Sequence, residues 1–189
     1  KVMVVELQAN NWKKRFFVLW SGQAVSIFTS SVIHMAIVWY LTDTTESAAI
    51  LSLATMVGFL PQAILGPFIG VLIDRYNRKT IMILSDIFIA MVTMVLIIVG
   101  FVGQPPIWLI MVILFLRSVG STFHNPSIQA VTPLIVPKDN LTACAGDSQT
   151  FESVSLIFSP AVSAILYGIW DINIILFVDI IGAIFAVIT

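Results

Sequence analysis

The chain has 189 residues, 59% of them hydrophobic and only 10% charged, with a net charge of -1 and a mean hydropathy of +1.03. A soluble domain carries about a quarter charged residues, so this composition excludes a water-soluble globular fold and points to membrane spans. It supplies no basic face for a nucleic-acid partner, and the single Cys144 excludes an internal disulfide and a cysteine-rich metal site.

Six apolar runs follow one another: Phe16 to Leu41, Ala48 to Leu72, Ile81 to Val102, Ile107 to Ile128, Ala143 to Ile169 and Ile172 to Thr189. Each is long enough to cross about 30 Å of hydrocarbon at about 1.5 Å per residue. The first is too long for a cleavable signal segment, and no small-residue cleavage site follows it. Lys13, Lys14 and Arg15 precede the first run, Arg75, Arg78 and Lys79 join the second to the third, and Lys138 lies between the fourth and fifth. The alternate connectors hold no Lys or Arg: 42–47 carries Asp43 and Glu46, 103–106 is uncharged, and the link after Trp170 has only Asp171. The positive-inside rule therefore places both ends of this chain in the cytoplasm. Trp39, Tyr40, Trp108, Tyr167 and Trp170 mark the outer interface, and Trp12 and Tyr76 the inner one.

The stretch 126–147 reads as the one long hydrophilic connector, expected along the inner membrane surface. Pro133 and Pro137 break its regularity, and Asp139 or Asn140 is placed to cap the next helix. Pro61 and Pro160 lack an N–H within their runs and are expected to kink them. With no low-complexity tract or linker, residues 1–189 read as one domain. Opening on Lys1 and stopping inside an apolar run, the chain is expected to be a piece of something longer.

Ionisable residues inside spans are costly and mark function by default; here they are His34, Asp86, Arg117, Glu152 and Asp179. Arg117 lies ten residues into its run, about 15 Å deep, and Ser121 and His124 extend a polar stripe from it. Glu152 shares a helix face with Ser155, Ser159 and Ser163, and Gln23, Ile27, Ser30 and His34 share another. A Glu moving between water and a closed cavity is able to bind and release a proton, which makes Glu152 the first candidate carrier. A structural role for Arg117 and a packing role for His34 remain open. The chain contains no His-Glu-x-x-His, no Gly-x-Ser-x-Gly and no Gly-x-x-x-x-Gly-Lys-Ser/Thr, so neither catalytic residues nor an ATP site is expected.

The link Gly70-x-Leu72-x-Asp74-Arg75-x-x-Arg78-Lys79 joins the second run to the third. Gly66 and Gly70 are expected to let helices approach closely, Asp74 to bond a helix end or an Arg, and the basic residues to meet anionic headgroups. Gly66-Pro67-x-x-Gly70 is echoed by Ser159-Pro160-x-x-Ser163, as two inverted three-helix repeats would require. The link resembles the loop signature of the major facilitator superfamily, and Arg117-x-x-Gly120 resembles a second motif of that family associated with proton movement. Trp12-Lys13, 22–26, Gly58-Phe59-Leu60-Pro61 and Asn140-Leu141-Thr142-x-Cys144-Ala145-Gly146 are similar to bacterial macrolide-efflux permeases of the drug:proton antiporter type.

This resemblance implies an all-α membrane fold of six helices, the amino-terminal half of a transporter in a bacterial plasma membrane, with the second half missing. Proton-coupled efflux of hydrophobic drug-like molecules by alternating access would follow, driven by a proton gradient with no cofactor or metal. Gln23, His34, Arg117 and Glu152 would line the substrate cavity. Glu152, Arg117 and Asp86 would serve proton coupling, with Asp86 and Asp179 demoted because spans three and six are peripheral in that fold. Gly70, Asp74, Arg75, Arg78 and Lys79 would form a conformational latch, in which Asp74 and Arg78 reach the other half. Asn77 stands where the family pattern prefers Gly, and is expected to tolerate left-handed backbone angles there. Serines replace the glycines usual in the fifth span of antiporters. A siderophore or lipid as the solute, or a membrane protein without transport, remains the alternative.

Overall fold

The computed structural model describes residues 2–188, with side chains from Trp12 onward. Lys1 and Thr189, the two chain ends noted above, lie outside the described residues. Six α-helices follow in order: α1 (Val2–Thr45), α2 (Ala48–Arg75), α3 (Arg78–Val102), α4 (Ile107–Ile135), α5 (Leu141–Ile169) and α6 (Ile172–Ile188), with one 3₁₀ turn at Lys138–Asn140. The first five are long and apolar enough to cross a membrane, and α6 is a shorter apolar helix of 17 residues.

The packing is two-fold in pattern. α1 lies chiefly against α5 and α6, α4 lies chiefly against α2 and α3, and α3 touches α6. Exchanging the first three helices for the last three maps the α1 pairings onto the α4 pairings and the α3–α6 pairing onto itself. That is the relation expected of two three-helix repeats.

Between apolar helices in lipid there is no hydrophobic drive to associate, so small residues and polar bonds must hold the seams. The sequence supplies both. A Cβ on Gly182 of α6 would stand 2.2 Å from Thr29 Oγ1 of α1, and one on Gly120 of α4 would stand 2.6 Å from Ile89 Cγ1 of α3. The residues α5 buries are Cys144, Ser155, Ser159 and Ser163, a narrow strip suited to its seat on α1. Ile33, Ile37, Leu96, Leu114 and Ile175 fill the core near the other end of the bundle. Large apolar side chains such as Phe59, Phe68, Leu156 and Ile157 stay exposed on α2 and α5, as lipid or a further helix layer allows.

Four local expectations are corrected. The stretch from Pro126 is not a surface connector: α4 runs through Pro126 and Pro133 to Ile135 and buries Ser127, Ile128, Val131 and Thr132. Bundle packing outweighs the lost backbone bonds, and Ser127 and Thr132 hydroxyls bond the carbonyls of Phe123 and Ile128. Neither Asp139 nor Asn140 caps α5 through its side chain. Asn77 has φ -68°, not a left-handed angle; it caps α3, its side chain accepting from the backbone N–H of Lys79 and Thr80 at 3.1 and 3.4 Å. Gly66 and Gly70 have nothing within 4 Å of the space a Cβ would fill, so among the described residues no helix makes the close approach expected of them.

Candidate functional site

Two polar layers cross the apolar bundle. In the first, Arg117 of α4 forms an ion pair with Asp179 of α6, both side chains almost fully buried. Its guanidinium also donates to Thr93 Oγ1 of α3 and, at 3.4 Å, to the Ser30 carbonyl of α1. Asp179 accepts from Thr93 Oγ1 at 2.8 Å and from Ser30 Oγ at 2.9 Å. Four helices thus close on one carboxylate and one guanidinium. With so many partners, the pair meets the condition under which a buried ion pair is tolerated.

The second layer lies seven residues along α4 toward the α4–α5 connector, about 10 Å away. His124 Nε2 stands 3.1 Å from Asp86 Oδ1 of α3, both side chains 5% exposed or less. Ser26 Oγ of α1 donates to the same oxygen at 3.0 Å. Among the described residues Asp86 Oδ2 has no hydrogen-bond partner, and His124 Nε2 lacks the alignment of a full hydrogen bond. Glu152 of α5 is half-buried and lies within electrostatic range of His124. Among the described residues it has neither a hydrogen bond nor an ion pair.

The residues expected on one cavity wall do not share one environment. Gln23 is sealed against α6, its Nε2 donating to the Ala186 carbonyl at 3.4 Å and its Oε1 buried without a partner among the described residues. His34 rests against Gly58 of α2, where a Cβ would come within 2.7 Å of its Cε1, and Ser118 of α4 donates to the Gly58 carbonyl. Arg117 is enclosed by α1, α3 and α6, whereas His34 and Glu152 keep partial exposure. Asp86 and Asp179, ranked below Glu152 as carriers, are each 2% exposed and paired within the bundle, because a carboxylate in an apolar helix must find a partner. Ser26, Ser30, Thr93 and His124 complete the layers. Their signal in the sequence is the need of two intramembrane carboxylates for cations and hydroxyls.

At the α2–α3 turn, Arg78 donates to Asp74 at 3.0 Å across Tyr76 and Asn77, in an exposed pair. Gly70, Arg75 and Lys79 are exposed beside it. α2 continues through Pro61 and Pro67, and α5 through Pro160, without interruption. Where α1 meets the start of α5, Phe16, Phe17, Trp20, Phe151 and Val154, together with Asp147 and Thr150, line a cavity of about 300 Å³. Trp20 is anchored there by its Nε1–H to Ser148 Oγ at 3.0 Å.

Residues 19–189 match the profile of the Major Facilitator Superfamily. The chain is 53% identical over 180 residues to Macrolide efflux protein A of Streptococcus pyogenes, covering 95% of this chain and 44% of that protein. It is 52% identical over 143 residues to Macrolide efflux protein A of Enterococcus faecalis, covering 76% of this chain and 44% of that protein. An uncharacterised transporter of the same superfamily from Bacillus subtilis is 30% identical over 159 residues, 83% of this chain and 36% of the relative. The chain thus spans less than half the length of these relatives. On the match across nearly its whole length, the chain belongs to the major facilitator superfamily.

Proposed function

We propose that this chain is the amino-terminal six-helix half of a bacterial plasma-membrane exporter that expels hydrophobic, macrolide-like molecules in exchange for protons. Both ends of this chain face the cytoplasm, a second half of the same transporter completes the cavity, and the two halves rock around the bound solute. The gradient supplies the energy, without a cofactor. The observation that carries the reading is Glu152, an intramembrane carboxylate, half-buried on the least enclosed side of the bundle and without an ion pair or hydrogen bond among the described residues. An acid in oil without a partner persists where water and solute reach it.

Within this reading Glu152 exchanges the proton with the cavity, and His34 contacts the solute from α1. Arg117 and Gln23, enclosed by neighbouring helices, shape the wall from behind. The aromatic cavity between α1 and α5 and the exposed apolar rows of α2 and α5 favour an apolar solute, and the names of the relatives favour a macrolide. Pro61 and Pro160 serve as bending points, and Gly70, Asp74, Arg75, Arg78 and Lys79 form the latch toward the second half.

The test is Glu152→Gln in the full-length protein in energised vesicles. Proton-driven macrolide efflux is expected to vanish while the protein remains in the membrane; efflux equal to wild type removes Glu152 as the carrier. Protonophore sensitivity with ATP held constant separates this from an ATP-powered route.

A further inference from the structure

We infer that the buried His124–Asp86 pair is the internal proton-binding site of this half, loaded through Glu152. The inference rests on the proton-coupled reading above and adds where the proton is held.

The argument is a contrast between the two buried layers. Each joins a basic side chain on α4 to a carboxylate on another helix, with a serine of α1 donating to that carboxylate. A guanidinium does not give up its proton in a protein, so the Arg117–Asp179 layer has a fixed charge state and is neutral as a pair. An imidazole does release its proton, and its ordinary range lies across neutrality. His124 is therefore the basic side chain of the buried layers whose chemistry allows a proton to be taken up and given back.

The partners are incomplete in the way a loading site needs. Asp179 has three side-chain donors on its two oxygens. Asp86 has one serine and the imidazole on Oδ1 and, among the described residues, nothing on Oδ2. Asp86 as an anion beside a neutral His124 leaves a buried charge poorly compensated. One added proton makes the pair neutral. In the proposed site a single proton is shared by the pair.

Glu152 supplies the route. It is an ionisable group of α5 in electrostatic range of His124 and, unlike Asp86, is partly exposed. In the proposed transfer the Glu152 side chain, which makes no hydrogen bond to the ring in this arrangement, swings onto it: the Glu152 O–H bond breaks, an N–H bond forms on Nδ1, the nitrogen not facing Asp86, and Glu152 is left anionic beside the imidazolium. The reverse transfer returns the proton to Glu152 and the cavity. Around His124, α1 contributes Ser26, α3 Asp86, α4 Arg117 two turns away and α6 Asp179, which Arg117 holds. The ionisable residues of α2, Asp74 and Arg75, lie exposed in its last turn.

The experiment compares wild type, E152Q, H124Q and the uncharged pair H124Q/D86N, each in the full-length protein in proteoliposomes. It reads protonophore-sensitive macrolide efflux and, with no gradient, exchange of labelled for unlabelled macrolide. H124Q and H124Q/D86N are expected to lose driven efflux and keep exchange. Driven efflux retained in either overturns the inference, as does loss of exchange together with driven efflux in the folded double variant, which marks a structural pair. A coupled wild type whose coupling is lost in E152Q but kept in H124Q leaves the proposed function standing and removes this site alone. An uncoupled wild type removes both. If neither histidine variant reaches the membrane, nitrogen-15 resonances of histidine-labelled wild type decide. The buried ring is expected to change protonation when macrolide is added at constant pH, and a ring that does not respond overturns the assignment.

Discussion

Arg117 and Asp179, 62 residues apart in sequence and on the fourth and sixth helices, share the buried centre of the bundle, and among the described residues no other charge is bonded to either. Removing one member strands the other in a medium that cannot solvate it. Arg117→Met or Asp179→Asn is expected to destabilise the protein by about 3–5 kcal/mol. The double variant Arg117→Met/Asp179→Asn should recover most of that loss, because no uncompensated charge remains. Thermal unfolding of the detergent-solubilised variants, arranged as a double-mutant cycle, measures the coupling. Additive losses would show that the two side chains do not act as a pair.

How much of this is visible in the sequence depends on the length scale. The spans are legible because an unbroken run of about 20 apolar residues matches the thickness of a bilayer and is rarely needed by a soluble core. The ends of the helices fall within a few residues of the apolar runs except at the start of α1, which begins at Val2, and the end of α4. There the prolines read as breaks, a local rule that bundle packing overrides. The ionisable residues are legible as costly, but not their pairing. Nothing local says that Arg117 reaches α6 or that His124 reaches α3, since these partners come from helix order around the bundle. A charge count points the same way: two carboxylates deep in apolar runs require cations, and Arg117 and His124 are two of the few available. Asn77 shows a different limit. An Asn at a turn fits both a left-handed angle and a helix cap, and only the backbone dihedral decides.

Gly182 carries the α1–α6 seam. A Cβ there would meet Thr29 Oγ1 at 2.2 Å and Thr29 Cβ at 3.2 Å, and the latter cannot rotate away. Gly182→Val is expected to push the helices apart at a cost of about 1–3 kcal/mol and to weaken the Ser30–Asp179 bond next to the contact. Thr29→Ala in the same chain relieves the clash and should restore a good part of the stability. A Gly182→Val protein with wild-type melting behaviour would contradict the close approach.

Asn77→Ala removes the cap from α3 and leaves the Lys79 and Thr80 amides without their acceptor. The expected loss is about 1 kcal/mol, confined to the first turn. Hydrogen exchange should therefore quicken at those amides while the α3 interior is unchanged. Asn77→Asp, which keeps an acceptor at the same place, should exchange like wild type.

The Asp74–Arg78 pair separates a stability role from a mechanical one. Both side chains reach solvent, Asp74 mostly so, and exposed pairs of this kind contribute about 0–1 kcal/mol. Asp74→Asn should hence leave the melting temperature almost unmoved. If the pair were only a local brace across the turn, transport would be equally unmoved. Under the proposed latch the same change alters the balance between inward- and outward-facing states, and transport falls although folding does not. The decisive measurement is accessibility of a single cysteine placed in the cavity, labelled from each side of the membrane. In Asp74→Asn the labelling should shift toward one side, and Asp74→Asn/Arg78→Gln should show whether the shift comes from a freed Arg78 or from the lost carboxylate. Unchanged labelling in both would reduce the pair to a brace, because a latch that changes no population stores no energy between the states.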